Sequence, residues 1–415
     1  MTRKARNTWI LIVLLLVVSV GGAPVYGVEN ALPEVRVLTL PEGALVPDVM
    51  MDGAGVLHMV YGLGDDAWYV RSADNGQIFS SPVKVNTVGK VTLTMGERGP
   101  KLALGQSVML TNARTRVWGP SIHVVWADKW SPGVQVYPRY SRSLDGGRTF
   151  EPPRALASLS GIDGLTLAAD SAGTVVAFFH QVTPGQQLEV PEAHRLYLAR
   201  STDNGATFGP EERLKIQGMD DLACSMCLMR ARITADANVC LAYRVANDNI
   251  RDFFLLRSPK QENAFTPLRV NEDYWELKTC PMCGPELTLD PAGRMLCAFM
   301  SRHRVYWSAL DDGRFTLHVA TPANENDEIY PAAFGDGKGH GAPNAEVRVG
   351  EPHVLLVWQV GPMAVGRTAI VKWALYRNDG TFTGKQGTLG VSTSGTKATA
   401  FLGADGAFYI VTTAK

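Results

Sequence analysis

The chain has 415 residues, of which 46% are hydrophobic and 19% are charged, so it is long enough to bury one large core or several smaller ones. Its 40 lysines and arginines balance its 40 aspartates and glutamates. This balance argues against a nucleic-acid-binding surface, because such surfaces usually carry an excess of basic residues.

The N-terminus has the pattern of an export signal. Arg3, Lys4 and Arg6 give a positive start, and residues 9–20 form an apolar run that ends shortly before Gly27. A bilayer span needs about 20 apolar residues, so a cleaved signal peptide over 1–27 is favoured over an uncleaved membrane anchor. We therefore expect a periplasmic or secreted protein that meets a membrane only during export, with residues 28–415 as a single domain.

Short apolar strands recur along the mature chain. Most of them follow a turn rich in Asp and Gly, residues that tolerate the positive φ angles of tight hairpins. Repeats of this size are typical of an all-β protein built from similar small sheets. Seven such strands start 53 to 65 residues apart, at Val56, Ser121, Thr174, Asn238, Arg294, His353 and Ala407.

A second repeat, Ser-x-Asp-x-Gly followed by Thr or Ile and then Phe, lies between these hairpins. We expect the Asp to accept hydrogen bonds from turn amides, the Gly to adopt a conformation closed to other residues, and the Phe to pack beneath. Weaker copies occur at 258–265, 308–315 and 378–382. The three clear copies contain Ser72, Asp74 and Gly76; Ser143, Asp145 and Gly147; and Ser201, Asp203 and Gly205.

This motif resembles the Asp box, or BNR repeat, of the sialidase superfamily, and the resemblance extends from about residue 45 to the C-terminus. It implies an all-β fold, a β-propeller of four-stranded antiparallel blades. The seven hairpins favour seven blades, and the six box positions leave six as the alternative. The segment 34–40 could add a strand that closes the ring. The same propeller connectivity places the box aspartates on the face away from catalysis.

The resemblance also implies a substrate site. Sialidases of this family bind the substrate carboxylate with three arginines, attack with a Tyr activated by a Glu, and protonate with an Asp. The first arginine normally lies in an Arg-Ile-Pro motif, but the corresponding positions here are Leu45, Val46 and Pro47. Standard sialidase chemistry is therefore not expected.

Other residues at the inner-strand entries could replace part of that machinery, although none lies in a family motif. Asp163 is a candidate acid, and Tyr330 with Glu286 is a candidate nucleophile pair. Arg98 and Arg230 could bind an anion, because a guanidinium holds a carboxylate at two points. The alternative is that these arginines form ordinary ion pairs with acidic neighbours.

Six cysteines are unusual enough to matter in an exported protein. Cys224 and Cys227 form one C-x-x-C pair and Cys280 and Cys283 another, 56 residues later, each just before an inner strand. The blade repeat should bring the two pairs together near the axis. Disulfides are favoured, a zinc or copper(I) site is the alternative, and a redox dithiol is the third interpretation.

Arg244 and Arg251 flank the same blade, where they could bind an anion beside the cysteines or form edge ion pairs. The stretch around both cysteine pairs also resembles uncharacterised bacterial sialidase-like proteins, which implies a shared site between blades 4 and 5. The predicted function is thus an exported module that binds a glycan or another small anionic ligand, or a protein. The alternatives are an exo-sialidase-type glycoside hydrolase with an altered site, and a metal-binding or redox partner protein.

Overall fold

The structure is a computed structural model. No helix of its described part is long and apolar enough to cross a membrane. Tyr330, the candidate nucleophile, lies outside the described residues. The structure describes residues 32–413 except for 94–97, 112–115, 130–135, 160, 184–185, 187–189, 191–192, 225–226, 272–273, 282, 290–293, 303, 312–313, 320–344, 351–352, 361–367 and 394–397.

The described strands form seven small sheets arranged as a seven-bladed β-propeller, so the all-β fold and the seven-blade prediction are confirmed. Blades 1 to 3 come first along the chain. Blade 1 contains β2 (Ala44–Met51), β3 (Leu57–Leu63), β4 (Asp66–Ser72) and β5 (Val83–Lys84). Blade 2 contains β6 (Lys101–Thr111), β7 (Arg116–Ala127), β8 (Pro138–Ser143) and β9 (Arg154–Ala155). Blade 3 contains β10 (Ile162–Ala169), β11 (Val175–Val182), β12 (His194–Ser201), β13 (Glu212–Arg213) and β14 (Leu222–Ala223).

Blades 4 to 6 are four-stranded, and blade 7 has three strands. Blade 4 contains β15 (Arg230–Ile233), β16 (Asn238–Arg244), β17 (Phe253–Pro259) and β18 (Thr266–Arg269). Blade 5 contains β19 (Glu286–Leu289), β20 (Met295–Ser301), β21 (Arg304–Asp311) and β22 (Arg314–Val319). Blade 6 contains β23 (Ala345–Gly350), β24 (His353–Val360), β25 (Thr368–Arg377) and β26 (Phe382–Thr393). Blade 7 contains β27 (Thr399–Leu402), β28 (Phe408–Thr413) and β1 (Val35–Leu40).

The ring is closed by the N-terminal strand. β1 pairs with β28 in parallel, from Val35 opposite Phe408 to Leu40 opposite Thr413. Leu40 and Val411 are buried in the same apolar cluster, which also includes side chains of blade 1. The predicted contribution of segment 34–40 is therefore confirmed, and the two ends of the domain share one sheet.

The tips of the Ser-x-Asp-x-Gly turns are held by their own side chains. The Ser201 hydroxyl donates to Asp203 over 2.7 Å and accepts from the Gly205 amide over 2.9 Å, while the Thr207 amide donates to Asp203 over 2.8 Å. Gly205 has φ +74°, and a Cβ there would lie 1.8 Å from the Tyr140 hydroxyl of the preceding blade. Only glycine fits this position. The corresponding Ser–Asp and Gly–Ser bonds recur at Ser72, Asp74 and Gly76 and at Ser143, Asp145 and Gly147.

The phenylalanines of two of these turns tie neighbouring blades together. Phe150 packs edge-on against Tyr69 of blade 1 at 5.5 Å, and Phe208 packs edge-on against Tyr140 of blade 2 at 4.8 Å. Each tyrosine hydroxyl also bonds a buried histidine, at His58 and at His123. Because such aromatic pairs add to the burial energy, the repeated turns stabilise the contacts between blades as well as the hairpins.

Hydrogen bonds show which loops share a face. The Asn204 amide of one Ser-x-Asp-x-Gly turn donates to the Gly173 carbonyl of a first-hairpin turn over 2.8 Å. Across the ring closure, the Ala404 amide donates to Asn75 over 2.9 Å. The first hairpin turn of each blade lies at the far end of its inner strand. We call the face that carries both kinds of turn the turn face. The entries to the inner strands therefore lie on the opposite face, which we call the entry face.

Candidate functional site

Five inner strands each place a charged residue near the entry face. They are Asp48 in β2, Lys101 in β6, Asp163 in β10, Arg230 in β15 and Glu286 in β19, and all five are buried. We call these five residues together with Arg98, which lies just before β6, the axial charge ring. Buried charges are costly unless they are paired, so the bonds within the ring decide what it can do.

Backbone irregularities position the two aspartates of the ring. The register of β2 shifts between Leu45 and Asp48, where Val46 has φ +48°. The register of β10 shifts between Asp163 and Thr166, and Gly164 between them has φ +63°. Such bulges bend a strand and redirect its side chains. Each bulge places an aspartate among the basic residues of other blades.

Arg230 spans the centre of the ring. Its guanidinium lies 2.9 Å from an Asp48 oxygen in blade 1 and donates to Glu286 in blade 5 over 2.7 Å. Arg232 approaches the second Glu286 oxygen at 3.4 Å. Burial raises the pKa of Asp48, but the charges of Arg230 and Lys101 outweigh burial, and the net pKa is lowered. The lowered pKa favours the ionised form of Asp48 beside Arg230.

Arg98 and Asp163 form a two-point ion pair at one side of the ring. One bond joins Nε to Oδ1 over 2.9 Å, and the second joins the terminal nitrogen to Oδ2. Burial raises the pKa of Asp163, but Arg98 outweighs burial, and the pKa falls to about 2. A general acid at neutral pH needs a raised pKa, which this pairing does not favour. The acid role of Asp163 and the Glu286–Tyr330 pair remain predictions.

The inner strands enclose a channel beyond the ring. This cavity of about 370 Å³ is lined by residues that follow each ring member along its strand, including Val49, Leu102, Leu167 and Thr288. Arg232 lines it as well and links it to Glu286. A second cavity of about 770 Å³ lies at the turn face, among the loops that carry Asp52, Asp170 and Lys260. The ion pairs therefore lie near one end of the axial channel.

The two cysteine pairs meet beside the ring. Cys224 and Cys227 lie between β14 and β15, Cys280 and Cys283 lie between β18 and β19, and all four are buried. The sulfurs of Cys224, Cys227 and Cys280 lie within 4.8 Å of one another, and those of Cys227 and Cys280 are 3.4 Å apart. This buried group could bind a metal ion. No disulfide joins any of the six cysteines in this structure, and the disulfides favoured from the sequence stay a prediction.

Two predicted anion-binding arginines lie against these cysteines and not at the surface. Arg244 donates to the Cys283 sulfur over 3.1 Å and to the carbonyls of Arg251 and Met300 over 2.6 and 2.8 Å. Its guanidinium lies 3.9 Å from the centre of the Phe253 ring. Arg251 is equally buried and donates to backbone carbonyls. Neither side chain is exposed to a ligand in solvent.

The buried thiols share their protons unequally. Burial raises the pKa of Cys224 and of Cys280. Burial also raises the pKa of Cys227, but hydrogen bonds from Cys224 and Cys280 and the charge of Arg244 outweigh it, so the net pKa of Cys227 is lowered. The surroundings therefore favour the thiolate form at Cys227 and the thiol form at Cys224 and Cys280.

A histidine pair connects the cysteine cluster to the ring. His180 lies opposite Asp163 in the β10–β11 register, and its Nε2 lies 3.3 Å from the Cys227 carbonyl oxygen. Its Nδ1 lies 2.7 Å from that of His194. Burial and the neighbouring His194 lower the pKa of His180 to about 3, which keeps the imidazole of His180 neutral. This contact ties the loop of blade 4 to blade 3.

Sequence reasoning found Arg98, Asp163, Arg230 and Glu286 but missed several of their partners. Asp48, Lys101, Arg232 and His194 were not singled out. Aligning the inner strands would have shown one signal, because Asp48 directly follows Leu45-Val46-Pro47, the segment that was compared with the family motif. No local pattern marks Lys101 or Arg232, because Asp48 and Glu286 lie in other blades. His194 contacts His180 on the neighbouring strand of the same blade, 14 residues away in sequence.

Comparisons with known proteins support the fold. The α-L-arabinofuranosidase of Fusarium graminearum, complexed with an iminosugar inhibitor, matches with a TM-score of 0.53 and 12% identity over 84% of this chain and 98% of that one. The Penicillium chrysogenum α-L-arabinanase, complexed with arabinobiose, has a TM-score of 0.52 and 12% identity over 85% and 99%. The Hadza microbial sialidase Hz136 matches with a TM-score of 0.47 and 13% identity over 87% of this chain and 74% of that one.

No protein-family model matches the chain, and no curated protein matches its sequence. At these identities the likeness shows the fold alone. The chain shares a β-propeller fold with the two arabinan-degrading enzymes, as the repeats predicted.

Proposed function

We propose that this chain is an exported glycan-binding propeller whose ligand binds at the axial charge ring, without standard sialidase chemistry. The observation that carries this proposal is the Arg98–Asp163 pair, whose side chains are 15% and 9% exposed at the margin of an otherwise closed network. A guanidinium and a carboxylate held in one plane offer donors and acceptors to sugar hydroxyls. The complex of the Penicillium arabinanase with arabinobiose supports a carbohydrate as the ligand class.

Three features favour binding over hydrolysis. Leu45 occupies the position at which the first sialidase arginine would be expected, and it cannot hold a carboxylate. Arg98 and Arg230 are bonded to carboxylates of the protein itself, which reduces their charge toward an acidic sugar. The lowered pKa of Asp163 disfavours proton donation at neutral pH.

Glycan binding can be tested by screening the mature chain against a glycan array and measuring the best ligand by calorimetry. We expect the double variant R98A/D163A to bind at least 10-fold more weakly, because charge-assisted hydrogen bonds contribute about 1.5–3 kcal/mol. Removing both charges avoids an unpaired buried carboxylate. The matched control is R257A, which breaks an exposed ion pair with Asp236 in blade 4.

Unchanged affinity in R98A/D163A would overturn this placement of the site. Turnover of a fluorogenic sialoside or arabinoside that is lost in D163N would instead establish the altered glycoside hydrolase. No turnover, with binding lost only in the double variant, would support the binding module.

Export rests on residues 1–27. A positive start followed by an apolar run supports cleavage near Gly27 and a periplasmic or secreted location. The N-terminal sequence of the protein recovered from a secreting host tests this proposal. Recovery with Met1 still present in the membrane fraction would contradict it.

A second candidate function is metal binding at the cysteines, with zinc or copper(I) as the ion. Three sulfurs already lie within 4.8 Å of one another in a buried site, and C-x-x-C pairs supply thiolates to such metals. The burial argues against a redox dithiol, because reactive cysteines need access to their partners.

A further inference from the structure

We infer that Cys224, Cys227, Cys280 and Cys283 form a tetrathiolate Zn²⁺ site whose charge is balanced by Arg244 and Arg251. We infer further that this site fixes the Arg230–Glu286 pair of the axial charge ring. The inference rests on the metal-binding function proposed above and deepens it.

The donor set fits zinc. Three of the sulfurs lie within 4.8 Å of one another, and the Cys283 amide donates a hydrogen bond to the Cys227 sulfur. Structural zinc sites are tetrahedral, and four thiolates from two C-x-x-C pairs are one of their common ligand sets, with Zn–S bonds of about 2.3 Å. The Cys283 sulfur lies outside the group of three, and as the second member of its pair it would supply the fourth ligand.

The charges fit zinc and do not fit disulfides. Four thiolates and one Zn²⁺ carry a net charge of minus two, which Arg244 and Arg251 together neutralise. Two disulfides would be neutral and would leave Arg244 bonded to carbonyl oxygens and an uncharged sulfur. Burying an uncompensated guanidinium is strongly unfavourable. Asp252, which adjoins Arg251 in sequence, bonds Arg269 and Asn271.

The surroundings of the cysteines resemble the outer shell of a metal site. Arg244 donates to the Cys283 sulfur over 3.1 Å and is itself held by the carbonyls of Arg251 and Met300. Trp275, Ala246 and Met300 pack around the sulfurs and exclude water. Hydrogen bonds to ligand atoms and an apolar shell both orient the ligands and tune metal affinity.

The site is positioned to hold the axial charge ring. Arg230 follows Cys227 by three residues, and Glu286 follows Cys283 by three. The two loops touch directly, because a Cβ at Gly284 would lie 2.4 Å from the Leu228 carbonyl oxygen. A metal that joins the loops would therefore hold the two inner strands at the spacing of the 2.7 Å Arg230–Glu286 bond.

The first test is metal content. The full chain, purified without reducing agent or chelator, should contain one zinc per molecule by native mass spectrometry and elemental analysis. After denaturation with chelator, all six thiols should react with iodoacetamide. We expect C227S and C283S to lose the zinc. The matched controls C240A and C297A remove equally buried cysteines from β16 and β20 of the same two blades and should keep it.

The second test concerns the balancing charge. Zn²⁺ affinity, measured by competition with a chromophoric chelator, should fall about 10- to 100-fold in R244M. R244K, which keeps the charge, should recover most of the affinity, whereas R257M at the exposed surface should have no effect. Equal losses in R244M and R244K would overturn the charge-balance argument. The spectrum of the Co²⁺-substituted chain should show four sulfur ligands, and three would exclude Cys283.

Several outcomes would overturn the zinc site. A denatured mass that is short by two hydrogens per bridge, with no metal, would establish disulfides. One copper ion per molecule would show that copper, and not zinc, occupies the site. If no metal is bound but glycan binding is intact, the zinc site and the metal-binding function fail together and the glycan proposal stands. If zinc is present and no glycan binds, only the axial proposal fails. If zinc removal leaves glycan affinity unchanged, the metal does not position the axial charge ring.

Discussion

The propeller is held together in two different ways on its two faces. On the turn face, the Ser-x-Asp-x-Gly tips of blades 1 to 3 satisfy their polar groups within a few residues, as in the bond between Ser201 and Asp203. On the entry face, the bonds join distant parts of the chain, as between Arg230 and Glu286, 56 residues apart. Local bonds can be repeated from blade to blade, whereas long-range charge pairs make one region of the ring unique.

If this comparison is correct, the largest destabilisation should come from the entry face. Replacing Glu286 with Ala removes the 2.7 Å partner of the buried Arg230, and we expect a loss of about 3–5 kcal/mol in the free energy of unfolding, as for other broken buried pairs. Urea denaturation monitored by tryptophan fluorescence measures it.

The matched control for this prediction is E42A, because Glu42 is exposed in the turn before β2. This substitution should change stability by less than about 0.5 kcal/mol. If E286A and E42A lowered the free energy of unfolding by the same small amount, the buried charge pairs of the entry face would not stabilise the fold. The contrast between the two faces would then disappear.

The sequence predicted the fold well because its signals are local. Turn residues and strand alternation repeat at blade length, so the seven blades and the closing strand at 34–40 could be predicted. Each Ser-x-Asp-x-Gly tip also contains within eight residues most of the groups that it bonds. By contrast, nothing near Asp48 indicates that it faces Arg230 in blade 4.

The second prediction tests the junction between the cysteine loop and the ring. Gly164 has φ +63°, and a Cβ there would lie 2.3 Å from the His180 ring and 3.1 Å from the Cys227 carbonyl oxygen. We expect G164A to lower the free energy of unfolding by about 2–4 kcal/mol, since backbone strain and overpacking add.

Gly218 provides the matched control for this variant. It has φ +73° but no heavy atom near its would-be Cβ, so G218A should show the backbone strain alone, about 1 kcal/mol. A difference of zero between the two variants, measured by thermal and urea unfolding, would mean that the cysteine loop does not pack tightly against β10.

The candidate site was only half predictable, and the reason is physical. The C-x-x-C spacing showed that the cysteine pairs would meet, because each precedes an inner strand of consecutive blades. Whether the sulfurs are thiols, bridged or metal-bound depends on the charges around them. Arg244 and Arg251 were recognised as candidates for anion binding, but their burial against sulfur depends on the packing of Trp275 and Phe253, which no sequence spacing encodes.

The smallest change in the free energy of unfolding should come from the turn face, where solvent screens the charge of Asp203. Hydrogen bonds from the Thr207 hydroxyl and amide lower the pKa of Asp203 to about 2. A folded pKa below the unfolded value of about 3.9 means that the carboxylate stabilises the fold above pH 4 and that this contribution is lost as pH falls toward 2. We expect D203N to cost about 1 kcal/mol at pH 7.

The difference between wild type and D203N should therefore shrink as the pH falls below about 4, whereas G218A, which changes no titratable group, should show no such trend. Urea midpoints between neutral pH and pH 3 measure both variants. A difference that stayed constant with pH would mean that shape rather than charge holds the tip. The turn face would then rely on glycine geometry, as at Gly205, and its carboxylates would contribute to stability only through the positions of their oxygens.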